Sequence, residues 1–315
     1  LVKNSTDELL HIAFLGGEPL LNFPLLKKVV EYCKQISADT GKKFSYTITT
    51  NGTLITDNIE KYLTENKIVC QISLDGTKEK NDMNRFFRNK KGSYDVIVEK
   101  TKSMRHMNLV TARATVTPDN SDYKEIFNHL NELEFRAIPI AIAQNMVDDE
   151  QFDKILSEYI NYIFYFEELI LTKQYAKAKK MTDLVNALEK IEFGNVRNNG
   201  CGAGRTMFAV DIDGTLYPCH RFVGERKFAL GNIWTGSDNS KFLKMINVRN
   251  RDKCSKCWAQ NLCLGCCPHE NYTNTNNINL ASERSCRMAK TIYEKLISVY
   301  IKMSDEDKKM MWPED

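Results

Sequence analysis

No stretch of this sequence approaches the roughly twenty consecutive apolar residues needed to cross a bilayer. Residues 1–7 are polar and mixed, without the basic-then-apolar order of a secretory signal. There is no low-complexity tract and no repeat beyond an alternation of strand-like and helix-like patterns. Neither sign of charge dominates. The 44 Lys and Arg against 41 Asp and Glu leave a net charge of +3, spread along the chain, which offers nothing to a nucleic acid. An initiator Met is also missing, and the chain starts at Leu1 as though in mid-fold. What is present is 315 residues, 42% hydrophobic and 27% charged, enough to bury the core of one large or two ordinary domains.

Cysteine is the residue in abundance. Eight of the ten lie between 201 and 286, as Cys201-x17-Cys219, then Cys254-x2-Cys257-x5-Cys263-x2-Cys266-Cys267, then Cys286. Without an export signal, ten cysteines point to a reducing, cytoplasmic setting, where thiols hold metal more often than they form disulfides. A disulfide framework stays open if a signal has been lost upstream. Four thiolates satisfy one zinc ion or one iron–sulfur cluster, so eight suggest two centres. Two zinc-ribbon-like sites fit the same spacing.

Residues 1–150 alternate between two periodicities. Apolar or β-branched runs at 11–14, 44–50, 69–74, 110–116 and 137–142 predict five strands, the last weakened by Pro139. Helical spacing at 23–36, 56–63, 94–104 and 123–133 predicts the intervening helices, with Thr56 as a cap. Such alternation predicts parallel βα units whose active site gathers at the carboxyl ends of the strands. Residues 151–194 read as a helical bridge. Residues 195–290 lose regular pattern and need metal to hold them, apart from a hairpin at 208–217 with a type I′ turn at Asp213-Gly214. Residues 291–315 complete a closing helix over 289–303, followed by a polar tail.

Three of the strand ends carry motifs: Gly16-Gly17-Glu18-Pro19, then Thr50-Asn51-Gly52-Thr53, then Ser73-Leu74-Asp75-Gly76 with Asn84-Arg85 behind it. Read with the C-x2-C-x5-C-x3-C…C of the tail, these resemble a radical S-adenosylmethionine enzyme with a SPASM domain, over nearly the whole chain. Relatives of that kind include peptide thioether maturases and anaerobic sulfatase-maturing enzymes. The resemblance implies a partial (β/α)6 barrel, lacking its first strand, followed by a Cys-rich SPASM domain.

Each motif also has a physical reading. Gly16 and Gly17 permit backbone conformations and close approaches that a Cβ would block. Glu18 places an acceptor beside them and Pro19 fixes the turn. The resemblance assigns Gly16, Gly17, Glu18, Pro19 and Asn51 to the S-adenosylmethionine site. It likewise gives Ser73 and Arg85 the ribose and carboxylate, the guanidinium suiting a carboxylate because its planar fork pairs at two points. Arg113, on an apolar strand, is a further candidate, and the strand at 137–142 supplies apolar contact to the adenine. Taken singly, the tetrapeptide also reads as an ordinary βα turn, and Arg85 as a solvated charge beside Arg88 and Lys90.

In the tail, the resemblance gives Cys254, Cys257, Cys263 and Cys286 to one auxiliary [4Fe–4S] cluster and Cys201, Cys219 and Cys267 to a second. The second is then one thiol short, leaving an iron open to a substrate thiolate. Cys266 is either that fourth ligand or free, and adjacency to Cys267 favours its being free. His220 stands where sulfatase-maturing relatives carry an Asp proposed as general base, and it is the candidate catalytic residue, able to accept a proton near neutral pH. It reads equally as a packing residue beside the cluster.

One departure outweighs the matches. The C-x3-C-x2-C that holds the third, catalytic [4Fe–4S] cluster of such enzymes is absent. Cys33 falls on a buried helix face and Cys70 inside a strand, where a thiol behaves as a small hydrophobe. The expectation is an N-terminally truncated chain, inactive as it stands, whose intact parent removes hydrogen from a peptide residue and forms a thioether or related cross-link. Its partners would be a Cys-containing peptide or protein and an electron donor such as ferredoxin or flavodoxin. Formation of formylglycine in a sulfatase is one rival reading, and a non-catalytic iron–sulfur electron-transfer or peptide-binding protein is another.

Overall fold

The computed structural model describes residues 2, 5–143, 146–194 and 200–313. The chain divides into two compact units, Leu1–Val185 with Met303–Asp315, and Asn186–Lys302. Among the described residues no helix is long and apolar enough to cross a membrane.

The first unit is built on strands β1 (Leu9–Phe14), β2 (Lys43–Thr50), β3 (Val69–Ser73), β4 (Val110–Val116) and β5 (Ile140–Ile142), all parallel and paired in sequence order. Helices α1 (Phe23–Thr40), α2 (Asp57–Glu65), α3 (Lys78–Asn84), α4 (Tyr94–His106) and α5 (Tyr123–Glu132) connect them. Thr56 caps α2 by accepting from Ile59 N, as its position before the helical pattern suggested. Strand β5 is shorter than the apolar run at 137–142. Pro139 has no N–H to give and Ile138 N donates to Lys180 O, so over 137–139 the carbonyls of Ala137 and Pro139 make the bonds to β4, accepting from Ala112 N and Ala114 N.

Side chains alternate along these strands. Ile48, Cys70, Ile72, Ala112 and Ala114 are fully buried. The intervening positions, Ser45, Thr47, Gln71, Ser73, Arg113 and Thr115, are half-buried and polar. One face therefore packs as core while the other presents hydroxyls, an amide and a guanidinium, the pattern of a sheet with a wet side. Cys33 and Cys70 are both buried, as expected of structural thiols.

Helices α6 (Asp149–Leu171) and α7 (Tyr175–Ala178) belong to this unit, and α8 (Thr182–Glu192) runs across the division between the two. The expected domain boundary at 195 lies outside the described residues.

In the second unit, β6 (Ala209–Val210), β7 (Thr215–Tyr217), β8 (Gly231–Asn232) and β9 (Gly236–Ser237) form a small antiparallel sheet. The β6–β7 turn is not type I′. Gly214 is left-handed (φ 78°) but Asp213 is not, and Gly214 N donates to Asp211 O at 3.0 Å. That is a type I turn closed by a left-handed glycine, which spares Asp213 the positive φ that type I′ requires. Beneath the sheet Tyr217, Phe222, Phe228, Leu230, Phe242 and Ile246 form a core. Short helices α9 (Ser240–Ile246), α10 (Asp252–Ser255), α11 (Gln260–Cys263) and α12 (Pro268–Thr275) follow, then α13 (Glu283–Lys302).

The expected polar tail after 303 is instead helix α14 (Asp305–Met311), in the first unit. Ser304 and Asp307 form a reciprocal capping box, Met303 and Met311 are buried, and Asp307 Oδ1 accepts from Lys173 Nζ and Tyr175 Oη, both at 2.7 Å.

Candidate cofactor and cluster sites

At the end of β1 the Gly-Gly-Glu-Pro segment is organised by Glu18. Its Oε1 accepts from Thr50 Oγ1 at 2.7 Å and Leu20 N at 3.0 Å, and its Oε2 from Asn51 N at 2.8 Å. Glu18 thus ties the first strand end to the second. Pro19 opens a short 3-10 turn over Pro19–Asn22. Neither Gly16 nor Gly17 is left-handed, and a Cβ on either would meet nothing within 4 Å. Conformational freedom is therefore not what these glycines supply here. Both are exposed, and they leave the main chain open to a ligand.

Asn51 turns its side chain onto its own loop, Oδ1 accepting from Thr53 N at 2.9 Å and Thr53 Oγ1 at 2.7 Å. Gly52 is left-handed at φ 75° against Ile97 and Ile72, so this glycine is a backbone requirement.

At the end of β3, Ser73 and Arg113 are register partners on the half-buried face. Arg85 is committed elsewhere. Its Nε donates to Asp75 Oδ2 at 2.6 Å and its Nη2 to Asp75 Oδ1 at 3.1 Å, so the expected fork for a ligand carboxylate already grips a protein carboxylate. Sequence reasoning passed over His11, which shares the polar face. Its Nδ1 meets Ser45 Oγ at 2.9 Å and its Nε2 meets Thr47 Oγ1 at 3.0 Å. The signal was the alternation itself, since Ser45 and Thr47 occupy every second position of β2.

In the second unit Cys254, Cys257, Cys263 and Cys286, the four that the resemblance groups together, line one cavity, and Cys266 lines it with them. Lys253 and Lys290 stand at its wall. Cys263 and Cys266 are 3.5 Å apart, sulfur to sulfur. The contact with Cys266 lowers the Cys263 thiol below its usual range, against the opposing effect of burial, and Cys266 Sγ also lies 3.7 Å from Ser285 O. Burial raises the thiols of Cys254 and Cys286.

The other three cysteines form a separate neighbourhood. Cys219 is buried, which raises its thiol, and Cys267 and Cys201 are its neighbours. Arg221 Nη1 donates to Glu270 Oε1 at 2.7 Å and lies 3.7 Å from Cys267 Sγ. Cys201 is exposed. His220 is exposed in the short turn His220–Phe222, directly after Cys219. His269 packs edge-on against Phe222, centroids 5.1 Å apart.

The donor sets suit clusters better than single ions. Four thiolates on one zinc at about 2.3 Å must crowd together. Five thiols instead ring a cavity, the arrangement that a polynuclear centre fills.

Comparison with known proteins agrees with this geometry. Residues 2–133 match the radical SAM superfamily and residues 201–258 match the SPASM iron–sulfur cluster-binding domain. A cysteine-type anaerobic sulfatase-maturating enzyme of Clostridium novyi (strain NT) is 26% identical over 319 residues, covering 94% of this chain and 82% of that protein. The radical SAM cyclopropyl synthase TigE of Paramaledivibacter caminithermalis is 23% identical, covering 94% of this chain and 62% of that one. Among solved structures, anSMEcpe with bound AdoMet superposes with a TM-score of 0.78 at 22% identity, covering 98% of this chain and 86% of that chain. The same protein with AdoMet and the Cp18Cys peptide gives 0.79 at 23% identity, covering 96% and 89%. A parallel sheet whose strand ends carry the Glu18-organised loop, followed by a thiol-lined second unit, is thus a partial radical SAM barrel followed by a SPASM domain.

Proposed function

We propose that this chain is the body of a maturase that acts on a Cys-containing peptide and joins its sulfur to carbon in a thioether or related cross-link. The observation that carries this reading is the parting of two adjacent cysteines. Cys266 lines the cavity of Cys254, Cys257, Cys263 and Cys286, so Cys267 is left with Cys219 and Cys201. Three protein thiols leave room for a fourth, and a peptide cysteine has the right chemistry to be that ligand. The named relatives mature sulfatases or make cyclopropyl groups, and a solved neighbour holds both AdoMet and a peptide.

S-adenosylmethionine and the iron–sulfur clusters supply, when bound, the radical chemistry and the one-electron transfers. The protein supplies placement. The open main chain at Gly16 and Gly17 receives the cofactor, with Pro19 fixing the turn behind them and Asn51 at the neighbouring strand end. Ser73 and Arg113 flank it on the polar face, and Arg85 braces that wall through Asp75. His220 takes up the thiol proton as the peptide sulfur is engaged, in the role of a general base. Cys254, Cys257, Cys263 and Cys286 hold one auxiliary cluster and Cys201, Cys219 and Cys267 the other. None of the ten cysteines forms a C-x3-C-x2-C, and we take the radical-generating cluster to be held by thiols outside these 315 residues. A small ferredoxin or flavodoxin would deliver the electron.

Formylglycine formation is the second reading, favoured by the sulfatase-maturating relatives. Mass spectrometry of a Cys-containing peptide separates the two after anaerobic incubation with the reconstituted protein in its parent reading frame, S-adenosylmethionine and a reductant. Loss of two hydrogens with the sulfur retained supports the cross-link. Conversion of the thiol to an aldehyde supports formylglycine and removes the cross-link reading.

A further inference from the structure

We propose that Cys266 is an alternate ligand that can take the place of Cys263 in the five-thiol cavity. The inference rests on the reading that this cavity holds an iron–sulfur cluster, and it concerns which of the chain's own sulfurs can serve it. Four thiolates complete such a cluster, yet Cys254, Cys257, Cys263, Cys266 and Cys286 all line the cavity.

Cys266 does not arrive there by accident of a floppy loop. Leu264, Gly265 and Cys266 are left-handed in succession, with φ of 55°, 82° and 62°. Only glycine takes that conformation without steric cost, so two side-chain-bearing residues persist in it because the surroundings enforce it. The enforcing contacts are visible. Gly265 O accepts from Arg251 Nη1 at 2.8 Å and from Asn271 Nδ2 at 2.9 Å, and both side chains are buried. A Cβ on Gly265 would lie 2.6 Å from Arg251 Nη1 and would displace that guanidinium from its place on the Gly265 carbonyl, so glycine at the centre keeps the clamp in place. This clamp fixes the peptide that leads into Cys266 and holds its sulfur 3.5 Å from that of Cys263.

That separation decides the role. The terminal thiolates of a cubane each serve a different corner iron and stand well apart. Two sulfurs in van der Waals contact address the same corner, so Cys263 and Cys266 are alternatives rather than partners. The next residue, Cys267, lies instead beside Arg221 in the other thiol group, so it cannot substitute.

The test uses the full chain, reconstituted anaerobically with iron and sulfide, as wild type, Cys257→Ala, Cys263→Ala, Cys266→Ala and the Cys263→Ala/Cys266→Ala double variant. Iron and acid-labile sulfide are counted, and thiols are mapped by iodoacetamide alkylation and peptide mass spectrometry. Cys263→Ala and Cys266→Ala should each keep the wild-type iron content. The double variant and Cys257→Ala should each lose about four irons per chain. In wild type Cys266 should be the alkylated thiol of the five, and in Cys263→Ala it should become protected. Cys263→Ser serves the same comparison if the alanine variant fails to fold, since it keeps a polar side chain of similar size. Loss of as much iron from Cys263→Ala or Cys263→Ser as from Cys257→Ala overturns the substitution role. Wild-type protein that takes up no labile sulfide overturns the cluster reading beneath it, a different result.

Discussion

Arg85 and Asp75 are joined at two points, Nε to Oδ2 at 2.6 Å and Nη2 to Oδ1 at 3.1 Å, across the carboxyl end of β3. Asp75 Oδ1 also accepts from Thr115 N at 2.8 Å, and the Asp75 carbonyl accepts from Asn120 Nδ2 at 2.7 Å. The pair therefore holds together the ends of two strands and the helix that leads to Arg85. Asp75 is almost wholly buried, so removing its cation leaves a carboxylate without its charge partner. Arg85→Met should cost about 2 kcal/mol, discounted from a fully buried pair because the Arg85 side chain is 29% exposed. Urea titration measures this. An unchanged midpoint with lost S-adenosylmethionine binding would show that Arg85 is a ligand and not a brace.

Glu18 gives a second, separable prediction. Its two oxygens accept three hydrogen bonds, two from the main chain. Glu18→Gln turns one acceptor into a donor that faces either Asn51 N or the Leu20 N–Thr50 Oγ1 pair. The lost contact is worth about 1–2 kcal/mol. Because Glu18 organises the loop proposed to receive the cofactor, calorimetric affinity for S-adenosylmethionine should fall roughly tenfold, as 1.4 kcal/mol implies. Equal affinity in the variant would remove Glu18 from the site.

These residues mark what could and could not be read from the chain. Strands β2 and β4 are legible because β-branched residues alternate and then stop at Asn51-Gly52 and before Pro118. The thiol cavity is legible in part: the close spacing of Cys254, Cys257 and Cys263 marks a thiol group, and the resemblance adds Cys286 to it. Cys266 is not legible, since a left-handed turn shows in sequence only when glycine marks it, and Leu264 and Cys266 flank the single glycine. Arg85 reads as a ligand because its buried partner lies ten residues back, across a helix. Helix α14 is hidden because five charged residues and two methionines in seven positions show no period, and only the Ser304-x-x-Asp307 cap betrays it.

Asp183 sets a pH dependence. Its Oδ1 is shielded from water without a hydrogen-bond partner, and its Oδ2 accepts from Tyr159 Oη at 3.2 Å. Burial raises its carboxyl to about 7 from 3.8. The folded state then keeps a proton that the unfolded state gives up, so stability falls as pH rises from about 4 to about 7, with a slope near 1.4 kcal/mol per pH unit at most. Asp183→Asn should be more stable than wild type at pH 8 and no more stable at pH 4. Parallel melting curves across that window would show the opposite.

Asp307 should behave with the reverse sign. Burial would raise its carboxyl, but hydrogen bonds from Lys173, Ser304 and Tyr175 outweigh burial and hold it well below the usual carboxylate range. Its contribution is present above about pH 4 and is lost on further acidification, as the unfolded state takes up the proton first. Lys173 is half exposed, so the ion pair itself contributes little, and the capping box and the Tyr175 bond carry most of the effect. Asp307→Ala should cost about 1–2 kcal/mol at pH 7 and progressively less as pH falls below about 4. Hydrogen exchange should then show α14 opening before the strands. Uniform loss of protection across both would place Asp307 in the global core instead.

Arg251 joins the fold of the second unit to its chemistry. It is 4% exposed, and its guanidinium donates to Gly265 O at 2.8 Å and Ile246 O at 3.1 Å. Cys254, Cys266 and Cys263 are its neighbours, so it places a buried cation beside the sulfurs of the cavity. In Arg251→Met, Asn271 still serves Gly265 O, but Ile246 O loses its donor and the thiolates lose their nearby charge. The apo protein should lose about 2 kcal/mol. Thiolates deprived of a cation should also hold a cluster less well, lowering the iron retained after reconstitution. Arg251→Lys keeps the charge but cannot span both carbonyls, so it should recover iron content more fully than stability. That split separates the two roles. If lysine restores stability and not iron, Arg251 acts on the backbone alone and its charge is incidental to the thiols.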